Sequence, residues 1–230
     1  MSSSGTRRGA RRYSDRVAAS QTGTFSTTRT EAYTDAVFAI AATLLVLDLT
    51  TDSFGRIGSD RAMWAALGDL WPNIMSFVVS FALLSGMWMI HLRQFRDVRA
   101  VDTTLLWLNN ARLLFVVLIP FTTALTSGYS DYVAGRILLP IDFFFVALLG
   151  HLSWRWAAAR GGHLLKPEAY EQRAAGAAGG LAAVCCAALA VALSPWIGSW
   201  AFLAFFLNGP LAALLLRRAQ RRGHGDTDSA

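Results

Sequence analysis

The sequence is poor in charged residues and has only two cysteines. Charged residues make up 16% of the 230 positions and hydrophobic residues 54%, whereas a soluble domain is about a quarter charged. Because the apolar residues gather in long runs, an ordinary soluble domain is excluded and an integral membrane protein is predicted. Cys185 and Cys186 are adjacent in one such run, with no His or Cys at metal-ligand spacing, so neither a disulfide framework nor a metal site is expected.

Common functional signatures are absent as well. The sequence has no Gly-rich phosphate loop, no His-Glu-x-x-His pair and no nucleophile elbow, so we expect neither an enzyme nor a bound cofactor. It also lacks the Thr-Val-Gly-Tyr-Gly filter of the common potassium channels. If the chain conducts ions, selectivity must have another origin. The first 28 residues contain no apolar core, so we expect no cleavable signal peptide.

The net charge of +6 reflects membrane topology rather than a basic face for nucleic acid. Six arginines fall in the first 29 residues and four in the last 14, and most others lie between apolar runs. Of the 21 Lys and Arg residues, 17 lie on one side of the predicted spans and three on the other. The positive-inside rule therefore places both termini in the cytoplasm. We expect a multi-pass protein of the bacterial plasma (inner) membrane, with the lipid bilayer as a partner and no nucleic acid.

Six segments are long and apolar enough to span a bilayer, which predicts an all-α membrane protein. They cover about 31–50, 70–92, 103–127, 132–157, 174–193 and 196–216. Ser194-Pro195 is interpreted as the tight hairpin between the last two. The domain organisation expected is a disordered basic tail over 1–28, a six-helix channel domain over 29–217 and a disordered tail over 218–230.

The first segment combines a polar mouth with an apolar stripe. At 100° per residue, Thr43, Leu44 and Leu47 fall within about 60° of Ile40; we call these four residues the first-helix stripe. Asp35 lies about 140° away from Ile40. From periodicity alone the stripe could pack on a neighbouring helix, face lipid or line a pore. An ionisable residue inside a membrane segment usually has a partner, so Asp35 is expected to anchor the helix.

Polar residues of three segments are predicted to share one cytoplasmic-side layer. The second segment brings Trp88 and His91 to the level of Asp35, and the third brings Asn109 and Arg112. Because unpaired polar groups in a membrane interior cost several kcal/mol, a hydrogen-bonded cluster is expected there.

The fourth segment carries Asp142 and His151. Pairing of Asp142 with Arg112 is the simpler expectation. The alternative is a secondary transporter or proton-coupled carrier that uses Asp142, Arg112 and His151. Such transporters often contain inverted repeats, and no internal repeat is visible here. A membrane scaffold or an enzyme subunit without transport activity is a third class.

Three stretches together resemble one known family. Arg29-x-x-x-Tyr33-Thr34-Asp35 resembles the Arg-x-x-x-Phe-Ser-Asp signature of the transmembrane protein 175 family, the endosomal and lysosomal potassium channels, in its bacterial single-repeat branch. Two further stretches, beginning at Trp71-Pro72 and at Leu106-Trp107, resemble its second and third helices. The resemblance covers roughly residues 29–127. Tyr33 and Thr34 depart mildly from the signature.

The resemblance implies a potassium-permeable leak-type channel, a homotetramer of six-helix subunits whose first helix lines the pore. Potassium, or another monovalent cation, would be the permeant species and not a cofactor. Ile40 would form the main hydrophobic constriction, with further layers at Leu44 and Leu47 and a hydroxyl ring at Thr43. The residues of the cytoplasmic-side network would be Arg29, Asp35, Trp88, His91 and Asn109.

Overall fold

The computed structural model describes residues 24–51, 54–159 and 164–225, with side chains from residue 25 to residue 218. The described chain is mostly helical, as predicted. Two short strands, β1 and β2, pair antiparallel, with Thr24 opposite Asp102 and Phe25 opposite Val101. The elements are β1 (Thr24–Phe25), α1 (Thr27–Leu44), α2 (Asp60–Asp69), α3 (Trp71–Asp97), β2 (Val101–Asp102), α4 (Thr103–Gly128), α5 (Val133–Ala159), α6 (Pro167–Glu171), α7 (Arg173–Ile197) and α8 (Asn208–Gly225).

Five elements of the described chain are long and apolar enough to cross a membrane. They are Thr27–Asp48, Trp71–Asp97, Thr103–Gly128, Val133–Ala159 and the 46-residue stretch Arg173–Arg218. The last stretch contains α7, a 3₁₀ helix over Gly198–Leu207 and α8. Both the 3₁₀ helix and α8 pack on α7, so the chain reverses within this stretch. The fifth and sixth predicted segments correspond to these two packed parts.

The reversal lies a few residues after the predicted hairpin, which was wrongly placed at Ser194-Pro195. Helix α7 runs through Pro195 to Ile197, and Gly198 follows with φ 57° and ψ −136°. A positive φ is readily adopted only by glycine. Ser194 is buried, and its hydroxyl donates to the Val191 carbonyl at 3.0 Å. A proline inside a helix is tolerated in a membrane bundle, so Gly198 and not Pro195 ends the helix.

The described secondary structure begins before residue 29 and continues past residue 217, the expected boundaries of the channel domain. Strand β1 and the first turn of α1 lie inside the segment that was expected to be a disordered tail, and α8 continues past residue 217 to Gly225. Pairing with β2 orders the N-terminal strand. The rest of the predicted tails, residues 1–23 and 226–230, lies outside the described residues.

Two apolar clusters hold the helices together. The larger cluster fills the bundle between α1, α3, α4, α5 and α7, with Phe38, Leu84, Val116 and Phe143 among its members. The smaller one closes the end of the bundle where α3 ends and α4 begins, and it includes Leu165. The positive-inside rule predicts that this end faces the cytoplasm. At this end the Asp102 carboxylate accepts from the Leu105 backbone N–H at 2.7 Å and from Trp156 Nε1 at 3.0 Å.

Candidate pore-lining helix and its polar anchor

Helix α1 has one face packed against the rest of the described chain and one face left uncovered. Its alanine-rich middle favours helix formation. The uninterrupted apolar run continues into a 3₁₀ turn over Leu45–Asp48. The packed face contacts α3 and α4, and its buried residues recur every three or four positions, the period of a helix face. These buried residues are Thr30, Thr34, Phe38, Ala41 and Leu45.

The first-helix stripe lies on the uncovered face. Ile40 is 59% exposed, Leu44 40% and Leu47 65%, and Thr43 is exposed too. The Thr43 hydroxyl donates to the Ile40 carbonyl at 2.8 Å, so its oxygen keeps lone pairs free to face outward. Within the described chain the stripe is therefore largely uncovered.

Tyr33 extends the same uncovered face. It lies seven residues before Ile40, close to the same angle on the helix, and its ring is exposed. No structural role was predicted for Tyr33 from the sequence beyond its departure from the family signature. The helical wheel, extended back two turns from Ile40, is the signal that places it on the stripe face.

Two hydrogen bonds join α1 to its neighbours near its first turns. Trp88 Nε1 on α3 donates to Asp35 Oδ1 at 2.9 Å. Asn109 Nδ2 on α4 donates to Thr34 Oγ1 at 2.9 Å, and both of these side chains are buried. The structure thus brings Asp35, Trp88 and Asn109 to one level, where each donor satisfies a group that would be costly to leave unpaired in a membrane.

His91 adds an aromatic contact to this layer. Its ring centroid lies 6.0 Å from that of Phe38 on α1 and 4.3 Å from that of Phe95. His91 Nδ1 lies 3.4 Å from Arg112 Nη1, and Arg112 Nη2 donates to the Met87 carbonyl at 3.3 Å. Arg112 therefore belongs to the same layer through His91.

Arg29 stands apart from the other predicted members. It lies one turn before Tyr33 and is exposed, and no hydrogen bond or ion pair joins it to another residue of the described ranges. Its angle on the helix is that of the stripe, so its side chain points away from α3 and α4.

The structure does not form the Asp142–Arg112 pair, and that prediction is wrong. Asp142 Oδ2 accepts from Thr122 Oγ1 at 3.0 Å. Helices α4 and α5 run side by side in opposite directions, so Arg112 lies against Gly150 instead, where a Cβ would come within 3.2 Å of the guanidinium carbon. Ten residues of helix, about 15 Å, separate Arg112 from Thr122. The three residues of the carrier alternative thus do not form one site.

A contact that was not predicted from the sequence holds the C-terminal end of the first membrane span, Thr27–Asp48. The Ser127 hydroxyl on α4 donates to Asp48 Oδ2 at 2.6 Å. Asp48 follows directly after the apolar run, and that position of a lone acid at a helix end is the signal that could have identified it. A second missed contact joins α3 to α4, where Thr123 Oγ1 donates to Ser80 Oγ at 2.9 Å in the core.

Comparison with known proteins places this arrangement in a family. The family profile described as "Endosomal/lysosomal potassium channel TMEM175" matches residues 29–120. A potassium channel of Streptomyces collinus is 36% identical over 144 residues, which are 60% of this chain and 68% of the relative. The chain belongs to the TMEM175 family.

More distant TMEM175 relatives agree with this assignment. The bovine endosomal/lysosomal proton channel TMEM175 is 29% identical over 151 residues, which are 61% of this chain but only 31% of the bovine protein. The crystal structure of a lysosomal potassium-selective TMEM175 homologue from Chamaesiphon minutus superposes with a TM-score of 0.59 at 26% identity. That superposition covers 84% of this chain and 97% of the solved one.

The residues matched by the TMEM175 profile include the whole cytoplasmic-side polar layer. Residues 29–120 run from the start of α1 through α3 into α4. The segment therefore contains the whole first-helix stripe and every predicted network residue. Asp142 and His151, the α5 residues of the carrier alternative, lie outside the segment.

Proposed function

We propose that this chain is a subunit of a potassium-permeable, leak-type channel whose pore is lined by α1. The relatives named as potassium channels in Streptomyces collinus and Chamaesiphon minutus support the ion and the activity. The uncovered first-helix stripe is the observation that carries the proposal for this chain. A largely uncovered face, next to a face held by hydrogen bonds, is what a pore-lining helix requires.

A pore built on this stripe needs several subunits, because a single α1 cannot enclose a space. We propose a homotetramer in which each subunit crosses the membrane six times, the stretch Arg173–Arg218 supplying the last two crossings. Both termini would lie in the cytoplasm of a bacterial inner membrane. The agreement of the two packed parts of this stretch with the fifth and sixth predicted segments supports the count.

The stripe would act as a hydrophobic constriction. Four copies of Ile40 at one level make a narrow apolar ring, and such rings gate channels by dewetting. Leu44 and Leu47 would add layers one and two turns further along. Thr43 would contribute oxygen lone pairs next to the Ile40 ring, since its proton is used on the Ile40 carbonyl. No charged side chain lies on the stripe from Ala36 to Leu47.

The polar layer would hold α1 at the correct rotation. The bonds of Thr34 to Asn109 and of Asp35 to Trp88 both lie away from the stripe. The contact of Phe38 with His91 packs that same inner side. Arg29 lies at the cytoplasmic end of the stripe face, so its charged side chain would instead face the ions that approach the pore.

Ile40→Asn tests the constriction directly. The polar amide would keep the ring wetted, and we expect potassium flux into liposomes to rise by about tenfold, which corresponds to about 1.4 kcal/mol of barrier. Leu114→Asn is the matched control, because Leu114 is 61% exposed on α4 and is not part of the stripe. Unchanged flux in Ile40→Asn, or an equal rise in Leu114→Asn, would count against a pore role for Ile40.

A further inference from the structure

A partly open cavity of about 290 Å³ lies inside the subunit at the predicted cytoplasmic end. It is bounded by the last turns of α3, the C-terminal half of α5, the third turn of α4, the first three turns of α7 and the first residue of α8. Its wall is apolar along Met87, Ile90 and Ala183, but several polar side chains also reach it. These polar residues are Arg93, Gln94, Asp97, Arg112, His151 and Asn208.

Arg112 brings an uncompensated charge to this cavity. Its side chain is 2% exposed, and Nε has no hydrogen-bond partner in the described structure. The hydrogen-bond contacts of Arg112 in the described structure are long and carry no counter-charge, at 3.3 Å to the Met87 carbonyl, 3.4 Å to His91 Nδ1 and 3.5 Å to Gln94 Oε1. No carboxylate of the described residues pairs with it. A buried guanidinium without a counter-charge is strongly unfavourable. An anion bound beside Arg112 would offset this cost.

His151 presents a second free nitrogen to the same space. The ring is 8% exposed, and Nδ1 is buried without a partner among the described residues. Asn208 Oδ1 is also buried without a hydrogen-bond partner among the described residues. Asp97 is the carboxylate on the described lining, and Arg93 lies one helical turn before it, which offsets its charge along the rim.

Glycines shape the walls around these groups. A Cβ at Gly150 would come within 3.2 Å of the Arg112 guanidinium, and one at Gly180 within 2.7 Å of His151 Nδ1. Gly179 also lines the cavity, and a Cβ there would meet nothing within 4 Å. Gly150 and Gly180 therefore let the helix backbones pack directly on the guanidinium and the imidazole, while the open volume lies beside Gly179.

We propose that this cavity binds a phosphate group through Arg112 and His151. Guanidinium donors match the oxygens of phosphate, and basic pockets between membrane helices on the cytoplasmic side bind lipid headgroups. The phosphate would come either from the headgroup of an anionic phospholipid or from free inorganic phosphate. The site is separate from the first-helix stripe, so this proposal does not depend on the proposed channel activity.

Two binding measurements on the full-length protein test the proposal and separate the two sources. Melting in detergent with inorganic phosphate, against chloride at equal ionic strength, reports the free anion. We expect phosphate to raise Tm by about 3 °C or more, because a ligand that binds the folded state stabilises it. Native mass spectrometry after reconstitution in nanodiscs with phosphatidylglycerol reports the lipid. There we expect an adduct of one phosphatidylglycerol per subunit.

Two variants and a control assign the effect to the cavity. Arg112→Gln removes the charge. Gly179→Leu keeps every charged group and fills the open volume, and so it remains informative if Arg112→Gln does not fold. Ala174→Leu adds bulk at an exposed position of α7, about 140° around the helix from Gly179, and serves as the control. Loss of the phosphate shift or of the adduct in Gly179→Leu, with retention in Ala174→Leu, supports the site, and the signal that is lost identifies the source. Absence of both signals in the wild type, or their persistence in Gly179→Leu, overturns it.

Discussion

The buried hydrogen bond from Asn109 to Thr34 allows a direct test of how α1 is anchored. The 2.9 Å bond joins two side chains that water does not reach. Asn109→Leu keeps a side chain of similar size but removes the amide donor. The Thr34 oxygen then loses its partner in an environment where none is available to replace it.

The expected cost follows from the burial of both groups. A buried polar group left without its partner costs about 1–3 kcal/mol, while hydrogen bonds between membrane helices average about 0.6 and reach about 1.7 kcal/mol in double-mutant cycles. We therefore expect Asn109→Leu to lower the free energy of unfolding by about 1–2 kcal/mol. Thr34→Val removes the other partner. The double variant should be more stable than the sum of the singles predicts, by about 1 kcal/mol.

The neighbouring residue supplies the control. Asn110 has a buried Oδ1 without a hydrogen-bond partner among the described residues, so Asn110→Leu should change stability by less than about 0.5 kcal/mol. Unfolding by sodium dodecyl sulfate in mixed micelles measures all four variants against the wild type. If Asn109→Leu and Asn110→Leu cost the same, or if Asn109 and Thr34 show no coupling energy, the bond does not anchor α1.

Two further predictions concern packing and the second anchor. Gly176→Ala should lower Tm with a cost of about 1–3 kcal/mol, because its Cβ would overlap the buried Trp154 ring. Gly179→Ala should instead stabilise α7 by up to about 1 kcal/mol. Equal melting temperatures in chloride buffer would contradict the close packing of α7 on α5. Trp88→Phe removes the donor to Asp35 and should lower the free energy of unfolding by about 0.5–1 kcal/mol in the same micelle titration, and no loss would mean that solvent replaces this partly exposed bond.

The helices and the stripe could be predicted from the sequence because both follow from local pattern, although periodicity left open whether the stripe packs on a neighbour, faces lipid or lines a pore. Long apolar runs have few structural alternatives, and the 100° period assigns Ile40 and Asp35 to different faces without knowledge of the neighbours. The level of Trp88 and Asn109 followed from counting residues inward from the same membrane surface. Those steps need only helix geometry and topology.

The partners of individual side chains required information that the sequence does not carry. Asp142 and Arg112 were expected to pair because both are ionisable and lie on adjacent helices. Which residues of two antiparallel helices meet depends on how far one is shifted along the other, and the packed interface puts Thr122 against Asp142. The chain reversal at Gly198 was equally hidden, because Ser194-Pro195 is the stronger turn signal although a membrane helix tolerates its proline.

The two ends of the first span are tied to the same helix, and this limits how a pore could open. Near the predicted cytoplasmic surface Thr34 accepts from Asn109, and at the other end Asp48 accepts from Ser127, both donors being on α4. Fourteen residues, about 20 Å of helix, separate the two ties. Sliding or rotation of α1 alone would break at least one of them. We infer that widening at Ile40, which lies between the ties, requires α1 and α4 to move together or α1 to bend in its middle.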